Sequence, residues 1–183
     1  SLEEQVRVYN YFLKKKLAIR ETIPSASYRK RVVATSVTPK KQLMIDLSQL
    51  AVHDVRTGVQ RVVRSLLKEL LSHTYPGYTA KAVYANTSGE ILYANKFAQK
   101  LLDKPGQSTE DSLVEISSGD IFYCPDLHLS YPFTTLTTFR HEGVQIIFTV
   151  HDIIGITQQH FVPRAYQLAF ADWFAGVLTI ADA

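Results

Sequence analysis

From Val144 to Val150 the chain runs VQIIFTV, apolar or β-branched at all but one position, and then changes abruptly to His151 and Asp152. β-Branched enrichment over so short a run favours a strand over a helix. A run without strict alternation reads as a strand buried on both faces of a parallel sheet, the central one of its domain. In open α/β sheets ligands collect just beyond the carboxyl ends of strands. His151 and Asp152 therefore stand where a site belongs if the rest of the chain supplies such a sheet.

It does so by pattern. Gln42 to Leu47 (QLMIDL) reads as a first strand with Asp46 near its carboxyl end, followed by a loop over 48–57. Gly58 then opens a helix whose apolar residues Val59, Val62, Val63, Leu66, Leu67, Leu70 and Leu71 follow the i, i+3, i+4, i+7 template. Strand, glycine-bearing turn and helix make the first half of a βαβ unit. Thr79 to Tyr84 is a second strand, Glu90 to Tyr93 a short return strand, Lys96 to Leu102 a short helix and Gly119 to Cys124 a third strand. A Thr-rich crossover helix over Pro132 to His141 leads into Val144. From Arg164 onward the pattern is helical and apolar nearly all round, which calls for burial on more than one side. No terminating signal follows that helix, and the chain reads as a fragment of a longer one.

Ahead of this domain, residues 1–41 read as an arm. Leu2, Val6, Tyr9, Leu13 and Leu17 recur at helical spacing, and Pro24 and Pro39 bracket a linker in which Val32 to Ala34 is a candidate edge strand. The net charge of +3 hides an asymmetry, with ten Lys or Arg against three Glu up to Lys41 and ten against fourteen acidic residues beyond it. A basic arm suits an anionic surface or a solvated connector, and the second is the commoner case. The single cysteine, Cys124, excludes an internal disulfide and a thiolate metal cluster. No apolar segment reaches the roughly 20 residues of a spanning helix, so a cytoplasmic protein is expected, peripheral at the inner membrane face at most.

Two places carry candidate chemistry. His151 is suited to binding a substrate hydroxyl or to acid/base work; the competing role for the His151–Asp152 pair is to satisfy the loop backbone. Their context after a strand is unlike the helical His-Asp dyads of metal phosphohydrolases. Arg56, Thr57, Gly58, Gln60 and Arg61 can form an anion-binding turn, because free N–H groups at a helix start favour a diphosphate and glycine permits close approach. The alternative is an ordinary turn with solvated arginines. Asp126 and His128 after the third strand, and His53 and Asp54 in the first loop, are similarly placed but isolated. Cys124 reads as a small buried residue, not a nucleophile.

Taken together, IDLSQ, RTGVQRVVRSLL, FTVHDIIGITQQHFVP and the helix ending DWFAGVLTIADA resemble the N-terminal, acceptor-side half of GT-B-fold retaining glycosyltransferases, within them the bacterial mannosyltransferase-like group. The resemblance spans Gln42 to the end and implies a Rossmann-like domain, mostly parallel with helices on both faces, facing a second domain across a cleft. It implies that Gly58, with Thr57 beside it, approaches the donor's diphosphate and that His151 contacts the transferred sugar. Asp152 would hold its loop or meet a hydroxyl, and Arg56 and Arg61 would assist with anionic groups; Asp126, from its place after the third strand, is a further candidate for binding substrate.

The family's nucleotide-binding domain, with two glutamates seven residues apart, has no counterpart here. The expected partners are therefore that missing domain of the same parent chain and a glycan or lipid-linked acceptor, with a membrane surface in reach of the basic arm and no nucleic acid. The nucleotide sugar would be a substrate, and neither cofactor nor metal is expected. The competing hypothesis is a non-catalytic α/β interaction module docked through its arm.

Overall fold

The computed structural model describes residues 28–31, 40–52, 57–102 and 110–183. The expected N-terminal helix, the Val32 to Ala34 strand, and His53, Asp54 and Arg56 lie outside these residues. In chain order the elements are β1 (Arg29–Lys30), β2 (Lys41–Asp46), α1 (Ser48–Val52), α2 (Gly58–Ser72), β3 (Tyr78–Ala85), β4 (Ile91–Tyr93), α3 (Asn95–Leu101) and β5 (Glu115–Ile116). They continue with β6 (Ile121–Cys124), α4 (Phe133–His141), β7 (Gln145–Phe148), α5 (Ile154–Thr157), a 3-10 turn (Gln159–Phe161) and α6 (Arg164–Ile180).

Five strands form one sheet in the order β4-β3-β2-β6-β7, parallel throughout except for β4, which returns antiparallel beside β3. Helices cover both faces, as a doubly wound α/β domain requires. On one face Met44, Phe122 and Ile146 pack with Leu136 and Phe139 of α4 and Phe170, Trp173, Val177 and Ile180 of α6. On the other, Ile45 and Ala82 pack with Val63 and Leu67 of α2, Leu50 of α1 and Phe97 of α3. The alternation along β2 explains how its neighbours Met44 and Ile45 serve opposite cores. Helix α6 is buried on several sides, and Gly176 lies so close to α4 that a Cβ there would collide with the Phe133 ring.

Three sequence expectations need correction. The strand after Val144 is buried on both faces only in part: among the described residues Gln145 is exposed and Ile147 half-buried, while Ile146 and Phe148 are buried, and β7 pairs with β6. Residues 182 and 183 hydrogen-bond along its other edge. The Asp182 N–H donates to the Ile146 carbonyl, the Phe148 N–H to the Ala183 carbonyl, and the Ile146 N–H to Asp182 Oδ2. Arg140 on α4 secures that end by pairing with Asp182 at 3.0 Å and donating to the Thr179 carbonyl. Second, the loop after β2 contains a helical turn, α1. Third, residues 28–31, read as linker, lie against the domain through β1 and β5, a strand too short to show any period. Arg31 forms an ion pair with the fully buried Asp120 at 3.0 Å. The same carboxylate accepts the Gln42 and Ser117 amides at 2.8 Å each.

Candidate functional site at the carboxyl ends of β2, β6 and β7

The chain leaves β2 toward β3 on one side and reaches β6 on the other, so the crossovers diverge at the carboxyl ends of β2 and β6. Such a switch point opens a crevice above the sheet. Here it is partly filled by a buried polar cluster. Asp46, fully buried at the end of β2, accepts the Ser48 hydroxyl at 2.5 Å, and Ser48 Oγ in turn accepts the Ala85 amide at the end of β3. Across the switch point, the Cys124 thiol approaches Asp46 Oδ2 at 3.5 Å. Burial pushes the Asp46 carboxyl up to about 6, against the lowering effect of the Ser48 and Cys124 hydrogen bonds. Burial also drives the Cys124 thiol well above its ordinary range, and the Asp46 charge adds to this, which keeps it an inert thiol, as its sequence context implied.

Beyond this cluster the predicted residues come together from two strand ends. Thr57 caps α2 with a full capping box: its hydroxyl accepts the Gln60 amide at 3.2 Å, while the Gln60 side chain accepts the Thr57 amide at 3.3 Å. Thr57 Oγ is thus engaged by the helix itself. Gly58 is different, because no described atom would lie within 4 Å of a Cβ added there and its φ is not left-handed. Neither packing nor backbone demands glycine at this position. Arg61 is exposed one turn into α2.

His151 and Asp152 follow β7 and are exposed. The His151 Nε2 atom lies 2.8 Å from the Pro125 carbonyl oxygen, and Asp152 Oδ1 accepts the Ile154 amide at 3.1 Å at the start of α5. This hydrogen bond ties Asp152 to the loop backbone. Val59, Leu127, Thr149, His151, Asp152, Phe170 and Trp173 line one small cleft, so the first turn of α2 and the loop after β7 face each other across it. At about 30 Å³ it has room for one water, not a sugar, and a larger ligand needs further walls or an opening of these.

Asp126 precedes Leu127 of the cleft. It is 2% exposed, Oδ1 accepts the Leu127 amide at 2.8 Å, and Oδ2 is buried with no hydrogen-bond partner among the described residues. Burial pushes its carboxyl up, opposed by the Leu127 amide and by the charge of nearby His151. His128 packs edge-on against the Tyr131 ring at 5.5 Å. Trp173, read from sequence only as part of an apolar helix face, is also a cleft residue. Its spacing had placed it inward, and nothing in the pattern distinguished it from core.

Among the described residues no three His, Cys, Asp or Glu side chains gather as a metal-binding group, and no helix is long and apolar enough to cross a membrane.

No family model matches the chain, and no solved structure matches it significantly. Three Escherichia coli proteins, each named serotype-specific mannosyltransferase WbdA, do match it, at 36%, 35% and 34% identity over 146 residues. The matches cover 78% of this chain but only 17–18% of the relatives, so the chain spans less than a fifth of their length.

Proposed function

We propose that this chain, related in sequence to one segment of the bacterial mannosyltransferases, is the acceptor-side domain of a nucleotide-sugar-dependent retaining transferase of GT-B type that transfers mannose in polysaccharide assembly. The observation that carries the reading is the shared cleft: the first turn of α2, just after Gly58, and the His151–Asp152 loop form its opposite walls. A helix start where no described atom lies within 4 Å of a Cβ added at Gly58 leaves room for a diphosphate beside the N–H groups that the capping box does not use. Arg56 and Arg61 flank that turn in sequence and supply positive charge. His151 is held by Pro125 and offers its other ring nitrogen to a sugar hydroxyl, with Asp152 bracing the loop.

In this proposal transfer requires a second, nucleotide-binding domain of the parent protein. Stabilising a departing diphosphate is an electrostatic task, and one helix start with two arginines supplies only part of it. The acceptor is a glycan or lipid-linked glycan, the reaction needs no metal, and the protein works in the cytoplasm, where nucleotide sugars are made. The test is to express the full-length parent and the 183-residue chain separately and assay both with a panel of nucleotide sugars and an oligomannoside acceptor. Mannose transfer by the parent alone supports the reading. A parent inactive with every donor, or an active isolated chain, overturns it.

A further inference from the structure

Trp173 is the only tryptophan in the chain. Its ring is fixed by Phe170 at 5.5 Å and Phe148 at 6.5 Å, and it is 2% exposed. The same side chain lines the cleft beside His151 and Asp152, yet its indole N–H is buried with no hydrogen-bond partner among the described residues. A phenylalanine would pack there without that cost, because burying an unpaired N–H is unfavourable while the ring alone is not. A donor orphaned among the described residues at a cleft wall points to a ligand as its partner.

A complementary orphan belongs to the neighbour of a cleft residue: Asp126 Oδ2 is a buried acceptor without a partner among the described residues, and Asp126 precedes Leu127, which lines the same cleft. One donor and one acceptor match a hydroxyl, whose oxygen accepts one hydrogen bond and whose proton makes another. Val59, Leu127 and Phe170 add an apolar lining suited to the C–H face of a pyranose.

We propose that Trp173 and Asp126 form a socket for one substrate hydroxyl, the indole N–H donating to its oxygen and Asp126 Oδ2 accepting its proton. Because both atoms are covered, the hydroxyl enters as the His151–Asp152 loop moves outward. This rests on the transferase reading for the identity of the ligand as a mannoside, and it makes Trp173 a substrate-contact residue in place of a purely structural one.

A single tryptophan gives a single indole resonance, so the wild-type chain tests the socket directly. Titration of the 15N-labelled chain with methyl α-mannoside and with an α-linked mannobiose is expected to move the Trp173 indole signal downfield and saturably, together with the amides of residues 151 and 152. Asp126→Asn, which replaces a charged acceptor by a neutral amide, is expected to weaken that binding about tenfold with its amide spectrum otherwise preserved. Movement of the 151 and 152 amides while the indole signal stays still overturns the socket but leaves the transferase reading standing. A spectrum unmoved by either mannoside overturns the socket and removes the mannoside-binding part of the reading with it.

Discussion

The imidazole of His151 and the carbonyl of Pro125 are joined at 2.8 Å, across the gap between the loops leaving β7 and β6. A carbonyl only accepts, so Nε2 carries the proton and, in the neutral ring, Nδ1 is the acceptor. The contact therefore sets both the tautomer and the direction of the ring.

His151→Ala in the full-length parent is accordingly expected to lower turnover by about a hundredfold or more, the scale of losing one well-placed polar contact to the reacting sugar. Because the side chain is exposed, unfolding of the isolated variant should shift by only about 0.5 kcal/mol. Turnover within twofold of wild type would remove His151 from the site; a collapse in stability would make its role structural. Steady-state kinetics and denaturant titration separate the two.

Asp46 sets a pH dependence of stability. Its carboxyl titrates at about 6 in the folded chain against an ordinary value of 3.8, so the folded state takes up the proton first as pH falls. The stability linked to this group is then fully present below pH ~4 and is lost as pH rises through ~6, on the order of 3 kcal/mol. Other groups titrate in that window, so the informative quantity is the difference between wild type and Asp46→Asn, which keeps the shape and removes the charge. The variant is expected to match or exceed wild type at pH 7.5 and to lose that advantage by pH 4.5, measured by urea unfolding at both. A difference that stays flat with pH would show that Asp46 titrates normally.

The Arg31–Asp120 pair ties the segment before β2 to the sheet. Removing one partner of a buried pair costs roughly 3–5 kcal/mol, but Asp120 keeps two backbone donors and the Arg31 side chain is 17% exposed. Arg31→Ala is expected to cost roughly 2–3 kcal/mol in unfolding free energy, read from denaturant midpoints at constant slope. A loss under about 0.5 kcal/mol would reduce the pair to a surface contact.

These residues also mark where sequence reading reaches its limit. The order of strands and helices was legible because α2 and α6 carry strong helical periods and β2, β3 and β6 end at polar residues. The exposed position in β7 was not. Its apolar run reflects packing against α4 and α6, and β-propensity does not say that Gln145 would face solvent. Around the cleft, His151 and Asp152 stood out because they follow a strand and Gly58 because it opens a helix after one. Trp173 was hidden among the apolar residues of a helix, since an unpaired N–H is a property of the assembled core. Asp120 was likewise hidden at the start of a strand, its arginine partner lying 89 residues away.

Two glycines, finally, separate what the fold needs from what a ligand needs. Gly176→Ala would drive a methyl group into the Phe133 ring between α6 and α4, an overpacking of roughly 1–3 kcal/mol that outweighs the gain in helix propensity. Gly58→Ala meets nothing among the described residues and sits at the first position of α2, where alanine is the better helix former. That variant should be as stable as wild type, or up to about 1 kcal/mol more stable. If the diphosphate approaches this turn, the same methyl group stands between it and the helix N–H groups, and transfer by the full-length parent should fall at least about tenfold through misplacement of the donor. Thermal unfolding and donor saturation kinetics on both variants distinguish the cases. A Gly58→Ala enzyme with unchanged donor affinity and turnover would leave the glycine without a ligand, and the first turn of α2 would then be only the cap of a helix.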